Sequence, residues 1–187
     1  MAIVLRRHVD FLSSLLLLFT LFAFPTSNAM SAEEVSKFCK ETPDDVEFCM
    51  RYIGRNREIV TARDFNDVFI IAVKQAKLQA ADGIKKINKV RKNYNGPIGK
   101  KRIQVCEEKY KLASTSFQKA WDAAYKKSFT ERLEMTTGSQ GGFEALRQCE
   151  DEWAKNGPRQ KSPLTLYYNN VYKLWAIMRS TISKLSR

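Results

Sequence analysis

Histidine is almost absent from this 187-residue chain: His8 is the only one, and it lies in a segment that we predict to be a cleaved leader. The remaining chain therefore has no imidazole for a Ser-His-Asp or Cys-His catalytic group, or for a histidine metal site. It also lacks a Cys-x-x-Cys pair, a Gly-x-Gly-x-x-Gly string and a phosphate-binding Gly-Lys-Ser/Thr loop. We predict that the chain is not an enzyme and holds no metal or cofactor.

Paired carboxylates are the remaining catalytic option, since two of them can hydrolyse a glycosidic bond. The candidate clusters are Glu107-Glu108 and Glu150-Asp151-Glu152. Their neighbours Cys106 and Cys149 belong to apolar stripes that face inward. We therefore interpret the acidic clusters as solvated helix faces.

The first 29 residues have the pattern of a secretory signal peptide. Arg6-Arg7 forms a basic start, a leucine-rich apolar run extends from Phe11 to Phe24, and Ser27-Asn28-Ala29 places small residues before a cleavage site. The apolar run is shorter than a typical membrane span, and an uncleaved anchor is the alternative. We predict cleavage after Ala29, with Ala32 as the second option, and a secreted product without a membrane segment.

The predicted mature chain, Met30 to Arg187, is long enough for one domain with its own core. Its four cysteines, Cys39, Cys49, Cys106 and Cys149, allow three disulfide pairings in an oxidising compartment. The simplest pairing is local, with Cys39–Cys49 closing a short hairpin and Cys106–Cys149 crossing between two helices. Free thiols and a four-cysteine zinc site are the alternatives, and the missing Cys-x-x-Cys spacing argues against zinc.

Apolar residues recur at alternating steps of three and four, a pattern typical of amphipathic helices. We predict a helical hairpin over residues 30–57 and four long helices within residues 61–187. The first of these starts at a capping sequence, Thr61 to Asp64, and the last at Ser162-Pro163, with Ser162 as N-cap. Short connections and the absence of two-residue alternation predict an all-α fold, an up-down-up-down four-helix bundle.

The third long helix contains a weak segment. Residues 136–142 read Thr-Thr-Gly-Ser-Gln-Gly-Gly and have little helix propensity. A loop and a close approach of two helices are alternatives, and we favour a helix that is broken or strained there.

Basic residues are concentrated between Gly83 and Val105, where the sequence contains no acidic residue. A solvated helix end would explain them, because positive charge suits the C-terminal dipole. The functional alternative is a surface for a polyanion or an acidic partner, with nucleic acid excluded for a secreted chain that has no recognised binding module. This basic patch consists of Lys85, Lys86, Lys89, Arg91, Lys92, Lys100, Lys101 and Arg102.

Four local strings, in this order, resemble the plant invertase and pectin methylesterase inhibitor family. They are Cys39-Lys-Glu-Thr42-Pro43 with Phe48-Cys49, Cys106-Glu-Glu-Lys-Tyr110-Lys-Leu-Ala113, Cys149-Glu150-Asp151 and Ser162-Pro163-Leu164-Thr165. The resemblance covers the whole mature chain, so residues 30–187 are expected to form a single inhibitor domain. It implies a hairpin closed by Cys39–Cys49 and a four-helix bundle stapled by Cys106–Cys149.

The resemblance also implies an activity: a secreted inhibitor that forms a reversible complex with a cell-wall carbohydrate enzyme and blocks its cleft. Invertase inhibitors of this family carry a Pro-Lys-Phe motif that enters the invertase active site. This chain has Lys127-Ser128-Phe129 at about that place, without the proline. Phe129 as a core residue is the structural alternative.

We therefore expect pectin methylesterase as the target, with cell-wall or vacuolar acid invertase as the alternative. A further alternative is a non-inhibitory helical module that binds demethylated pectin through the basic patch. The protein is expected in the apoplast, with the vacuole as the second option.

Overall fold

The computed structural model describes residues 29–42, 45–126, 129–155 and 157–186. Within these ranges the chain forms helices joined by short turns and contains no strand, which confirms the predicted all-α class. Residues 1–28 of the predicted signal peptide lie outside the described ranges. No helix in the described part of the chain is both long and apolar enough to cross a bilayer.

The N-terminal region consists of short helical pieces. Helix α1 spans Ala32–Glu41, helix α2 spans Val46–Cys49 and continues into a π-helical turn over Met50–Gly54, and a 3-10 turn covers Arg57–Thr61. A capping box starts α1, because the Ser31 hydroxyl accepts from the Glu34 N–H at 3.1 Å while the Glu34 carboxylate accepts from the Ser31 N–H at 2.7 Å. Pieces this short need tertiary contacts to persist.

The first long helix, α3, spans Phe65–Val90 and is capped by Asp64, whose carboxylate accepts the Asp67 N–H at 3.0 Å. The helix therefore starts directly after the predicted capping sequence, but its N-cap is Asp64, the last residue of that sequence, and not Thr61. Thr61 instead ends the preceding 3-10 turn, where its hydroxyl donates to the Glu58 carbonyl. Asp64 is a favourable N-cap because its ionised carboxylate accepts the backbone N–H and its negative charge lies at the positive end of the helix dipole.

Three more long helices follow: α4 spans Pro97–Lys126, α5 spans Phe129–Lys155 and α6 spans Thr165–Leu185. The predicted start of the last helix at Ser162 is wrong. The Ser162 hydroxyl oxygen accepts the Leu164 N–H at 3.1 Å, a local turn that delays the helix until Thr165.

Helix α5 runs without a break through residues 136–142, so the predicted interruption is wrong and the alternative of a close helix approach is right. A Cβ atom added to Gly138 would lie 2.9 Å from the backbone nitrogen of Ala120 in α4. One added to Gly142 would lie 2.4 Å from the Phe117 ring. The glycines remove side chains where α4 and α5 touch, and packing outweighs their poor helix propensity.

The long helices bury the core between them. Helix α4 makes its most extensive contacts with α5, α3 packs on both α4 and α6, and α5 also touches α6. The Cys106–Cys149 disulfide joins α4 to α5 across Cα atoms 4.6 Å apart, and Cys39–Cys49 joins α1 to α2 across 5.5 Å. Both pairings match the prediction. The indole N–H of buried Trp153 points at the Cys106 sulfur, 3.2 Å away.

The N-terminal pieces dock on the last helix through ion pairs and rings. Lys173 of α6 pairs with Asp45 at 2.7 Å, and Lys184 pairs with Glu41 at 2.6 Å. The Lys173 ammonium also lies 5.1 Å from the Phe48 ring. These contacts hold the Cys39–Cys49 segment against α6.

Candidate binding surfaces

The predicted target-binding string, Lys127-Ser128-Phe129, falls at the junction of α4 and α5. Lys127 and Ser128 lie outside the described residues. Phe129 is the first residue of α5, directly after the junction. The string therefore occupies the position expected for it along the chain, and its role in target binding stays a prediction.

The basic patch is assembled from two helix ends. The short connection between α3 and α4 brings the last turns of α3 next to the first turns of α4, so that Asn88 and Lys92 line the same cavity as Lys100 and Gln104. Positive charge at the end of α3 also suits the negative end of its dipole. Both interpretations of the patch, a solvated helix end and a surface for a polyanion, stay predictions.

Carboxylates from outside the acid-free segment neutralise part of this charge. Lys85 pairs with Asp82 at 2.9 Å, Arg91 with Glu107 at 2.5 Å and Lys101 with Glu152 at 3.7 Å. Hydrogen bonds from Arg91 and Lys111 lower the pKa of Glu107 and keep it ionised. Among the described residues, no carboxylate pairs with Lys86, Lys89, Lys92 or Lys100.

Arg102 does not belong to the exposed patch. It is 2% exposed, and its guanidinium lies 5.2 Å from the Trp153 ring. One terminal nitrogen donates to the Pro158 carbonyl at 2.9 Å, and the other donates to the Gln160 side chain at 3.4 Å. The prediction that Arg102 contributes surface charge is wrong, because its position in α4 faces α5 and the segment after it.

The cavity between the ends of α3 and α4 has a volume of about 590 Å³. Its lining combines basic, amide and apolar side chains: Asn88, Arg91, Lys92, Tyr94, Asn95, Lys100, Ile103 and Gln104. Tyr94 is held edge-on against Trp153, with ring centroids 5.0 Å apart. We call this cavity the basic groove.

Glu150 and Glu152 are not on a solvated face, contrary to the prediction. The Thr165 hydroxyl donates to the Glu150 carboxylate at 2.9 Å, which ties α5 to the start of α6. Burial raises the pKa of Glu150, while hydrogen bonds from the Ser162 and Thr165 hydroxyls oppose that shift. The side chain of Glu152 is only 11% exposed. The apolar stripe through Cys149 correctly predicted that these acids lie outside the core. It did not show that the segment leading into α6 covers Glu150.

Aromatic side chains on α6 form a second surface, which was not predicted from the sequence. Trp175 stacks on Phe143 of α5 with ring centroids 4.5 Å apart, and the Arg179 guanidinium lies 4.8 Å from the Trp175 ring. Tyr172, 40% exposed, lines a cavity of about 700 Å³ between α1 and α6 together with Trp175 and Arg179. The signal was present in the sequence, since Tyr168, Tyr172 and Trp175 recur at helical spacing beside the buried stripe.

These observations define the class of protein: an all-helical domain with two disulfides, grooved on its outer surface. In the described part of the chain, no group of three or more His, Cys, Asp and Glu side chains is arranged to hold a metal ion.

Two solved structures share the fold. A mutant form of a pectin methylesterase inhibitor from Arabidopsis aligns with a TM-score of 0.65 and 14% identity, over 80% of this chain and 95% of that one. A pectin methylesterase inhibitor from Arabidopsis thaliana aligns with a TM-score of 0.59 and 16% identity, over 84% and 99%.

Sequence comparisons identify the family. The model of the plant invertase/pectin methylesterase inhibitor family matches residues 33–180. Pectinesterase inhibitor 5 of Arabidopsis thaliana is 42% identical over 185 residues, which cover 99% of each chain. The chain belongs to the plant invertase/pectin methylesterase inhibitor family, as the four local strings predict. Membership in a family of enzyme inhibitors agrees with the prediction that the chain is not itself an enzyme.

Proposed function

We propose that this protein is a secreted inhibitor of pectin methylesterase. The observation that carries the proposal is the 42% identity to a pectinesterase inhibitor over 99% of both chains. At that identity and coverage, the two chains share the whole domain and not just one motif. Inhibition would be steric: the inhibitor forms a reversible complex and covers the enzyme's cleft, with no covalent step.

We further propose that the four long helices form an up-down-up-down bundle, preceded by an N-terminal hairpin over residues 30–57. The packing of α3 on α4 and α6, and of α5 on the same two helices, supports this arrangement. The two disulfides and the ion pairs to α6 make the scaffold stiff. A stiff inhibitor loses little conformational entropy on binding, so more of the contact energy appears as affinity.

The domain boundaries belong to the same proposal: residues 1–29 are a signal peptide and residues 30–187 a single inhibitor domain, of which residues 61–187 form the bundle. The mature protein would then act in the apoplast. N-terminal sequencing of the protein from the extracellular fluid tests the boundary, and we expect it to begin at Met30. A protein retained in the membrane fraction with its leader attached would contradict the proposal.

The test of function is a titration of purified pectin methylesterase and purified acid invertase, each with the mature oxidised protein. We expect a saturable loss of pectin methylesterase activity at about one inhibitor per enzyme and an unchanged invertase. Protein that has been reduced and alkylated is the control, because it keeps every side chain other than the four cysteines and lacks both disulfides. No effect on either enzyme, across several isoforms and pH values, would refute the inhibitor proposal.

Acid invertase is the second candidate because Lys127-Ser128-Phe129 lies at the α4–α5 junction, the place at which the family's invertase-binding motif is expected. If the protein inhibits invertase in this titration, we expect the double variant Lys127→Ala and Phe129→Ala to inhibit it at least tenfold more weakly. An invertase inhibition that this variant leaves unchanged would exclude the junction as the contact.

A further inference from the structure

We propose that the basic groove between the ends of α3 and α4 binds an acidic oligosaccharide, specifically a chain of uronic acid residues such as demethylated pectin. The site would give this protein a second ligand, which it holds without any enzyme partner. The inference rests on the lining of the groove and does not depend on which enzyme the protein inhibits.

The chemistry of the lining matches a sugar acid in three ways. The basic side chains Arg91, Lys92 and Lys100 suit carboxylates, and the amides of Asn88, Asn95 and Gln104 can donate to and accept from hydroxyl groups. The partly exposed Tyr94 ring supplies an apolar surface for the carbon face of a sugar ring, and buried Ile103 lies behind it. The volume of about 590 Å³ lies in the range of small-ligand sites in proteins.

The charge that is available to a ligand comes from the two lysines. Arg91 is already paired with Glu107, which also binds Lys111. Lys92 and Lys100 are exposed, and no carboxylate of the described residues pairs with either. The groove therefore carries positive charge whose counter-ion the described part of the chain does not supply. A ligand with one carboxylate per sugar ring would provide it.

The floor of the groove is held in place before any ligand arrives. Ile103 is 1% exposed, and Tyr94 is fixed against the buried Trp153 ring. The ion pair between Arg91 and Glu107 fixes the end of α3 to α4. A preformed floor lowers the entropic cost of binding and distinguishes this groove from a set of mobile surface lysines.

The experiment measures binding of a fluorescently labelled oligogalacturonate to the mature oxidised protein by anisotropy, with no enzyme present. We expect binding that weakens with added salt and falls about tenfold in the double variant Lys92→Ala and Lys100→Ala, since each exposed charge contact contributes about threefold. The matched control replaces Lys40 and Lys119, two exposed lysines outside the groove, and changes the net charge equally. It should bind within about twofold of the unmodified protein. Thermal melts of both variants confirm that each is folded.

Three results would overturn the proposal. An equal loss of affinity in both double variants would show that binding depends on net charge and not on the groove. Equal binding of the fully methyl-esterified oligomer would show that the carboxylates are not recognised, and equal binding of polyglutamate would show that the sugar rings are not. Enzyme inhibition is measured in a separate assay. A protein that binds the oligomer but does not inhibit would refute only the proposed inhibitor function. A protein that inhibits but does not bind the oligomer would refute only the proposed groove.

Discussion

Replacing Gly138 by alanine tests the contact between α4 and α5. The added Cβ would lie 2.9 Å from both the backbone nitrogen of Ala120 and the carbonyl oxygen of Ser116, and 3.0 Å from the Ala120 Cβ. Two of these atoms are backbone atoms within α4, which cannot rotate away as a side chain can. The two helices would have to separate or bend to admit one methyl group. Well-packed interiors resist such movement.

The magnitude follows from two opposing terms. Alanine improves helix propensity over glycine by about 1 kcal/mol, and overpacking a core costs about 1–3 kcal/mol. Because the clash involves backbone, we take the upper part of that range, which leaves Gly138→Ala destabilised by about 1–2 kcal/mol. Gly141→Ala is the matched control three residues further along α5. Its Cβ would meet only the Ser116 side chain, with the hydroxyl oxygen at 3.5 Å and the Cβ at 3.8 Å, both ordinary contacts. We expect that variant to be stabilised by about 0.5–1 kcal/mol.

The assay is thermal and urea unfolding of the oxidised protein, followed by circular dichroism. For a domain of this size, 1 kcal/mol changes Tm by about 2–4 °C. The Tm of Gly138→Ala should therefore lie below that of the unmodified protein, and the Tm of Gly141→Ala above it. A Gly138→Ala protein as stable as Gly141→Ala would refute the close approach and, with it, the explanation of why α5 is continuous through its glycines.

Two further predictions concern the staples and the buried acid. Replacing Cys106 and Cys149 by alanine should destabilise the protein more than replacing Cys39 and Cys49. The chain-entropy model gives about 4 kcal/mol for the separation of 43 residues and about 2.7 for that of 10, and thermal melts in the reverse order would contradict it. Burial raises the pKa of Glu150, so the folded protein binds the Glu150 proton more tightly than the unfolded chain does. The stabilisation from this protonated carboxyl is therefore full below the pKa of the unfolded chain, about 4.5, and is lost as the pH rises through the pKa of the folded protein. Glu150→Gln should therefore gain stability relative to the unmodified protein as the pH rises from about 4 to 8, and a constant difference across that range would show that the carboxyl is not shifted.

The sequence predicted several parts of the fold because they depend on local pattern. Apolar residues at helical spacing are read directly from the chain, and they predicted four long helices within residues 61–187, where α3 to α6 lie. The resemblance of short strings to a known family supplied the cysteine pairing and the class of activity. Neither prediction required knowledge of which helix faces which, because periodicity and string order are properties of the chain itself.

The predictions at the helix ends were less accurate for a physical reason. Thr61 and Ser162 are both good N-caps by residue type, yet Asp64 and Leu164 occupy the N-cap positions of α3 and α6. Asp64 caps α3 by accepting the Asp67 N–H, and the Ser162 hydroxyl oxygen accepts the Leu164 N–H in a local turn. Alternative caps of this kind differ by about 1 kcal/mol. Such small differences are decided by the rest of the structure.

By itself, the sequence determined the helical class, the two disulfides, the family and the concentration of positive charge along the end of α3 and the start of α4. Only the tertiary structure decided that α5 continues through residues 136–142, that Arg102 is buried against Trp153, and that Glu150 is covered by the segment leading into α6. Periodicity shows which face of a helix is apolar, but it does not show what packs on that face or covers its edge. Whether a glycine, an arginine or a carboxylate stabilises the fold depends on those neighbours, which lie close to it in space and far from it along the chain.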